Sequence, residues 1–227
     1  MIEEFFVPPS NVVSKWVHRF IGKAFPLLPR RLQRNMLRSV LNGEAGVRWA
    51  ENYARMPPFE PSVHAKWRVV DKAVAEAESI HWIGCCSGRE VAFFAACYPQ
   101  KPFIASDLSA SIIQWCQKRY DLPNLQFQRV DATRHDFGED LVVAMGVMTY
   151  MDAEEVTRFS RHVRRLVSAE PVTEGYDERS SSYRSRMSWN HPYRQIFNCR
   201  HYEEIPNPGG GVSVVFTVGI DGFSRSD

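Results

Sequence analysis

Apolar residues recur with two different periods along this chain of 227 residues. Between about residue 80 and residue 170, short apolar runs alternate with longer segments whose apolar residues have helical spacing. The short runs predict strands near 79–83, 102–106, 125–130, 140–145 and 166–170. The longer segments predict helices near 62–77, 89–98, 109–119 and 152–165. This alternation indicates an α/β fold in which helices cover both faces of a mostly parallel sheet.

The pattern changes after the fifth predicted strand. Residues 173–190 are polar and predict a long loop, and loops of this length in compact domains are often lids or binding segments. A short helix is expected around 191–198. Two further strands, near 200–205 and 212–218, are joined by a proline- and glycine-rich turn and predict a final antiparallel hairpin.

The first sixty residues predict helices only. Apolar residues recur at helical spacing over 16–24, 32–41 and 44–55, and Pro57-Pro58 ends the third segment. We therefore expect an N-terminal helical cap over residues 1–60, lying on the strand ends of a core formed by residues 61–227. The apolar stripes of such helices need a surface to pack against.

The same N-terminal helices are basic. No acidic residue occurs between Phe5 and Gly43, and seven basic residues do: Lys15, Arg19, Lys23, Arg30, Arg31, Arg34 and Arg38. A basic amphipathic segment can contact an anionic membrane surface or a nucleic acid. The apolar stripes favour the cap, and peripheral membrane contact or nucleic-acid binding are the alternatives. Nucleic-acid binding is not expected, because no RNA-binding motif accompanies these residues.

Composition excludes several classes of protein. A hydrophobic fraction of 44%, a charged fraction of 24% and a net charge of +2 are ordinary for a globular protein. The longest uncharged apolar run, 141–148, is far shorter than the roughly 20 residues of a membrane span. The N-terminus lacks a secretory signal pattern, and the five cysteines form neither a CxxC pair nor a metal-ligand spacing. We expect a cytoplasmic protein with reduced thiols and no metal.

Candidate chemistry begins at a loop of small residues. The apolar strand that ends at Ile83 runs through Gly84-Cys85-Cys86-Ser87-Gly88 directly into a helix. The glycines allow a tight turn and a close approach of a ligand to the backbone. Ligands of open α/β sheets bind at the carboxyl ends of the strands, where this loop is predicted to lie.

Two aspartates follow the next two strands. Asp107 comes nineteen residues after Gly88, at a strand end where a carboxylate can accept hydrogen bonds from ribose hydroxyls. Asp131 follows the third strand, where it could accept from an exocyclic adenine amine. Asp107 could equally cap the next helix, although Ser109 could take that role as well.

These segments together resemble the core of class I S-adenosylmethionine-dependent methyltransferases. The resemblance implies a Rossmann-like fold with a seven-stranded, mostly parallel sheet that ends in an antiparallel hairpin. It implies S-adenosyl-L-methionine as cofactor and S-adenosyl-L-homocysteine as product. It places the cofactor against the following residues: Gly84, Cys85, Cys86, Gly88, Asp107, Leu108, Asp131, Ala132 and Gly146.

Two positions differ from the family's pattern. Trp82 stands where an acidic residue normally helps to bind the methionine amino group, and Cys86 replaces the middle glycine of the loop. The tryptophan removes a polar contact, and the cysteine side chain narrows the loop.

The resemblance leaves the methyl acceptor open. A helical cap and an aromatic loop would suit a small-molecule acceptor, and we expect the accepting atom to be an oxygen. His191 and Tyr150 are the candidate catalytic residues, ahead of His64, because they should lie at the acceptor end of the sheet. The alternatives are a methyltransferase that acts on RNA or another macromolecule, and a non-catalytic binding domain.

Overall fold

The sheet has seven strands: five are parallel neighbours, and the last two form an antiparallel hairpin beside them. The computed structural model describes residues 43–55, 64–172, 183–185, 188–207 and 211–220, and three helical positions, Leu32, Asn35 and Ser39. The strands are β1 (Ile80–Ile83), β2 (Phe103–Asp107), β3 (Leu125–Arg129), β4 (Leu141–Met145), β5 (Leu166–Val172), β8 (Cys199–Pro206) and β9 (Val212–Val218). Their order is β3-β2-β1-β4-β5-β9-β8, and only β9 is antiparallel to both neighbours. The predicted sheet and its final hairpin are confirmed.

Six α-helices lie within the described part of the chain. They are α1 (Glu44–Ala54), α2 (Ala65–Glu76), α3 (Arg89–Cys97), α4 (Ala110–Arg119), α5 (Ala153–Ser160) and α6 (Tyr193–Ile196), and a 3-10 turn spans Met148–Tyr150. None of the described helices is long and apolar enough to cross a membrane. The predicted helix at 16–24 and most of the one at 32–41 lie outside the described residues.

Two predicted segments need correction. The helix expected over 152–165 ends at Ser160, because buried Val163 packs into the core and the chain must turn back to enter β5. The long loop expected over 173–190 contains two short strands, β6 (Tyr183–Ser185) and β7 (Ser188–Asn190), which pair antiparallel. The residues of these strands are mostly polar, so no apolar alternation predicted them.

Strand β1 separates the two halves of the core. Its four residues are all buried, and alternation along the strand sends successive side chains to opposite faces. Trp82 belongs to the face covered by α2, α3 and α4, where its ring stacks on Trp67 at 6.5 Å. Ile83 belongs to the face covered by α5 and α6. The sheet is therefore covered on both sides, as parallel sheets require.

Helix α1 packs against α4 on the first of these faces. Ala50 is fully buried there and joins the same apolar cluster as Trp82. Arg89, the first residue of α3, donates to the carbonyl of Tyr53 at 3.4 Å and lies over the Tyr53 ring at 5.0 Å. The last turn of α1 is thus fixed beside the start of α3. The boundary between a cap and a core near residue 60 stays a prediction.

Candidate functional site

The loop between β1 and α3 turns sharply because two glycines adopt left-handed backbone conformations. Gly84 has φ +61° and Gly88 has φ +68°, and the amide of Gly88 donates to the carbonyl of Cys85 at 2.8 Å. A Cβ on Gly84 would lie 2.5 Å from a methyl carbon of Val147. Gly84 is therefore required both by its conformation and by the close packing of the segment after β4.

Cys86 shares this left-handed conformation although it carries a side chain. Its φ is +46°, and it is the single non-glycine residue with positive φ in the described ranges. For an L-residue this conformation costs roughly 1–2 kcal/mol. The surrounding structure holds it there: the Cys86 amide donates to Asp107 Oδ2 at 3.2 Å, and its carbonyl accepts from Cys116 Sγ at 3.2 Å.

Asp107 faces the loop and does not cap the following helix. Ser109 is the N-cap of α4, and its hydroxyl accepts from the amide of Ile112 at 3.3 Å. Asp107 Oδ1 accepts from the amide of Ser109 at 2.9 Å, and its other oxygen bonds Cys86. Burial raises the pKa of Asp107, and the main-chain amides of Ser109, Cys86 and Leu108 oppose that rise. The carboxylate lies between the loop and the end of β2.

Asp131 lies at the end of the neighbouring strand. The amide of Val130 donates to the carbonyl of Asp107 at 3.1 Å, which holds the ends of β2 and β3 side by side. Asp131 Oδ1 accepts from both the amide and the hydroxyl of Thr133, at 3.1 and 2.7 Å. The structure thus brings Asp131 and half-buried Ala132 to the same edge of the sheet as Asp107.

The segment after β4 is organised by a carboxylate that the sequence analysis missed. Glu170, fully buried in β5, accepts from the amides of Val147 and Thr149, each at 3.1 Å, and from the hydroxyl of Ser168 at 3.2 Å. Burial raises the pKa of Glu170 to about 7, and the main-chain donors limit the rise. A glutamate in the middle of β5, where all but one of the other residues are apolar, was the signal in the sequence.

Tyr150 closes the 3-10 turn that Glu170 holds. Its side chain is half-buried, and the pKa of its phenol is raised by burial first and then by the nearby charges of Glu170 and Cys86. Gly146, with φ +67°, starts the same segment. Gly146 and Tyr150 therefore flank Val147, which packs against Gly84 of the glycine loop.

His191 is fully buried and bonded to the main chain. Its Nε2 lies 3.2 Å from the carbonyl oxygen of Met148 and 3.1 Å from that of Met151. Because carbonyls only accept, this nitrogen carries the proton and donates. Burial lowers the pKa of the ring. The geometry favours a role in fixing the segment after β7 on the 3-10 turn. His64, in contrast, lies at the start of α2, where its carbonyl accepts from Trp67.

A family model described as a methyltransferase domain matches residues 80–170. This range runs from β1 through β5 and includes the glycine loop, Asp107, Asp131 and Glu170. Residues 80–170 are a class I S-adenosylmethionine-dependent methyltransferase domain. The methyltransferase accordingly uses S-adenosyl-L-methionine as its cofactor.

Solved structures share the fold of this methyltransferase. One is magnesium protoporphyrin IX methyltransferase from Synechocystis PCC 6803 with bound S-adenosylhomocysteine; it is 15% identical, with a TM-score of 0.58 over 81% of this chain and 98% of that one. Another is an O-methyltransferase, so far assigned as such only provisionally, from Nostoc punctiforme PCC 73102. It is 13% identical, with a TM-score of 0.58 over 76% of this chain and 59% of that one. A search of curated proteins gave no match.

Proposed function

We propose that the methyltransferase holds its cofactor between the glycine loop and the ends of β2 and β3. The acceptor groups of Asp107 suit a ribose diol: each carboxylate oxygen has two acceptor sites, and the amides of Cys86 and Ser109 each use one. Asp131 and Ala132 would border the adenine, and Leu108 would lie beside the ribose. The left-handed turns at Gly84 and Gly88 bring the backbone close enough to contact the methionine portion.

The methionine end needs a carboxylate other than the one replaced by Trp82. The tryptophan ring packs against Trp67 and Phe94 in the core. Glu90 is buried at the start of α3, accepts a hydrogen bond from the Tyr53 hydroxyl, and lies close enough to Cys86 to influence its thiol. We assign to Glu90 the attraction of the cationic methionine end that an acidic residue at position 82 would otherwise provide.

The bound cofactor supplies an electrophilic methyl carbon on its sulfonium. The protein's task is to hold the acceptor about 3–3.5 Å from that carbon, in line with the breaking bond and sheltered from water. The residues around Gly146 and Tyr150 are placed for this because they follow β4 and border the glycine loop. Little proton chemistry is needed when the acceptor is already nucleophilic.

A small-molecule acceptor is supported above all by the segment that covers the 3-10 turn. Thr149 Oγ1 donates to the carbonyl of Trp189 at 3.3 Å, and His191 bonds the carbonyls on either side of this turn. On the opposite side of the glycine loop, Tyr53 is fixed against Arg89. An enclosure built from both sides suits a compact ligand better than an extended polymer.

The protonation states of the two candidate residues favour an acceptor oxygen that needs no protein base. Tyr150 keeps its proton at neutral pH because its pKa is raised, and His191 is fully buried with its Nε2 proton donated to carbonyls. Neither group is therefore arranged to remove a proton. A carboxylate or an acidic phenol is already a competent nucleophile. Tyr150 would orient such an acceptor by donating its hydroxyl hydrogen.

Calorimetric titration with S-adenosylmethionine and S-adenosylhomocysteine tests the cofactor site. We expect Asp107→Ala to weaken both ligands by about ten- to hundredfold, because hydrogen bonds to a charged acceptor contribute roughly 1.5–3 kcal/mol. Asp121→Ala is the matched control, since Asp121 is an exposed aspartate after α4. Unchanged affinity in a folded Asp107→Ala variant would remove the proposed ribose contact.

Transfer of a labelled methyl group to panels of acceptors tests the reaction. We expect carboxylic acids and phenols to be labelled, with amines and RNA unlabelled. Catalysis without a protein base predicts that the rate stops rising once the pH exceeds the pKa of the acceptor. Preferred labelling of RNA, or of amines, would overturn the proposed acceptor class and leave the cofactor site intact.

A further inference from the structure

A second cluster of chemically active side chains lies on the α5 face of the sheet, apart from the glycine loop. His81 points from the middle of β1, and His135 and Glu139 come from the connection between β3 and β4. One nitrogen or oxygen atom from each of the three side chains lies within 4.8 Å of the other two. His81 Nδ1 is 3.0 Å from Glu139 Oε2, and the rings of His81 and His135 are 5.2 Å apart.

We propose that His81, His135 and Glu139 form a binding site for a divalent transition-metal ion, with zinc as its best fit. Two imidazoles and one carboxylate with a solvent-filled fourth position is an established zinc ligand set. Zinc–ligand bonds of about 2.0–2.2 Å place tetrahedral ligand atoms roughly 3.4 Å apart. The His81–Glu139 pair already has nearly this spacing. The ligand atom of His135 lies within 4.8 Å of both, so a shift of this partly exposed side chain towards them completes the site.

The surroundings of His81 suit a metal ligand. The side chain is fully buried, which holds the ring in place beside Glu139. Its Nε2 lies 2.9 Å from the hydroxyl of Ser106, a residue that is 1% exposed. A serine hydroxyl can accept from this nitrogen when Nδ1 binds a metal, which is the supporting contact that ligating histidines usually make.

An ion could enter from the surface, and the loop that carries the two outer ligands is already ordered. His135 is half-buried, and the Glu139 side chain is 15% exposed. Between them, Phe137 packs edge-on against His81 at 4.9 Å and against Phe159 of α5 at 5.9 Å. The aromatic contact fixes the connection over His81, so little chain entropy remains to be lost on binding.

His81 and Glu139 also form a serine–histidine–glutamate relay with Ser106. A hydrolytic role would require a substrate to reach the Ser106 hydroxyl, and that residue is buried beneath the ring of His81. A metal would reach Nδ1 of His81 from the side of Glu139 and His135, which are both partly exposed. The arrangement therefore favours a bound ion over hydrolysis by Ser106, and the ion would fasten the connection that begins at Asp131 to the central strand.

Metal binding to the full chain tests this site independently of the methyl-transfer proposal. Chelator-treated protein is titrated with zinc against a chromophoric competitor. We expect one zinc per chain at micromolar or tighter affinity, lowered at least tenfold in His135→Ala and in Glu139→Gln. With free zinc at a hundred times the dissociation constant, Tm should rise by roughly 5–10 °C in the wild type.

His162→Ala is the matched control. His162 lies on the same surface and bonds Asp136 at 2.6 Å, but it is not one of the three ligands, so its variant should bind zinc like the wild type. Ser106→Ala should lower the affinity by about ten- to hundredfold while the ligands stay in place. Absence of zinc binding, or binding that survives both ligand variants within threefold, would overturn the proposal. The ligand variants His135→Ala and Glu139→Gln should retain S-adenosylhomocysteine binding, which would show that they are folded.

Discussion

The amide of Cys86 donates to Oδ2 of Asp107 across 3.2 Å, which ties the glycine loop to the end of the neighbouring strand. The bond joins the loop's one left-handed non-glycine residue to the carboxylate proposed to bind ribose. The loop conformation and the cofactor's recognition therefore depend on the same contact. A substitution at either residue should therefore change both the cofactor affinity and the stability of the fold.

We expect Cys86→Gly to tighten cofactor binding severalfold. Glycine adopts φ +46° without the cost of roughly 1–2 kcal/mol that a side chain carries there, and it widens the loop. For stability, the relief of backbone strain is offset by the lost burial of the thiol, so the free energy of unfolding should change by no more than about 1 kcal/mol. Calorimetry measures the affinity. Cys86→Val is the opposing variant and should weaken binding, and equal affinities for both variants would contradict the argument.

Gly84→Ala should destabilise the fold by about 2 kcal/mol or more. The new Cβ would lie 2.5 Å from a methyl of Val147, and alanine would have to adopt φ +61°. Urea unfolding measures the loss. Val147→Ala in the same chain should restore part of it by making room. Gly138→Ala is the control, because no atom lies within 4 Å of the position its Cβ would take.

Glu90→Gln should weaken S-adenosylmethionine by about tenfold while preserving the fold. The amide oxygen can still accept from Tyr53, but the charge that attracts the cationic methionine end is lost. Calorimetry with both ligands shows which cation is recognised: an equal loss for S-adenosylhomocysteine identifies the amino group, and a smaller loss identifies the sulfonium. The exposed Glu154 supplies a control, Glu154→Gln, and affinities equal to that control would refute the assignment.

Stability should depend on pH through Glu170. Its pKa is raised from 4.5 to about 7 in the folded state, so between these values the folded protein holds more protons than the unfolded chain. The unfolding free energy from this group is therefore greatest below pH 4.5 and is lost as the pH rises through 7. Relative to Glu170→Gln, the wild type should lose about 2–3 kcal/mol between pH 4.5 and 7.5.

Urea unfolding of both proteins at several pH values measures this difference. The exposed Glu204 on the edge strand β8 provides the control Glu204→Gln, which should follow the wild type at every pH. A constant difference between the wild type and Glu170→Gln would show that Glu170 stays ionised throughout. Its main-chain donors would then outweigh its burial.

His191→Ala should act on stability and leave the pH profile of the rate unchanged in shape. Removal of the imidazole leaves the carbonyls of Met148 and Met151 without this donor, at a cost of about 1–3 kcal/mol. Initial rates from pH 6 to pH 9 measure the profile. If the variant were folded and the dependence on a group near neutral pH disappeared, His191 would be a general base after all.

The sequence could predict those features that local pattern determines. Strands β1 to β5 follow from short apolar runs, and the turn at Gly84 and Gly88 follows from the needs of the backbone. The hairpin β6–β7 could not be predicted, because most of its residues are polar and each strand pairs only with the other. Glu170 and the cluster around His81 were also missed, since the partners of His81 lie 25 and 58 residues away in the chain.

Strand β9 lies between β5 and β8, with hydrogen bonds to both. A nascent chain emerging from the ribosome therefore presents β5 with one open, apolar edge until the residues up to Val218 have been made. The parallel half of the sheet can assemble earlier, but its exposed edge could pair with another chain during that interval. Among the described strands β9 is the last in chain order, and its pairing with β5 closes the edge that could otherwise pair with another chain.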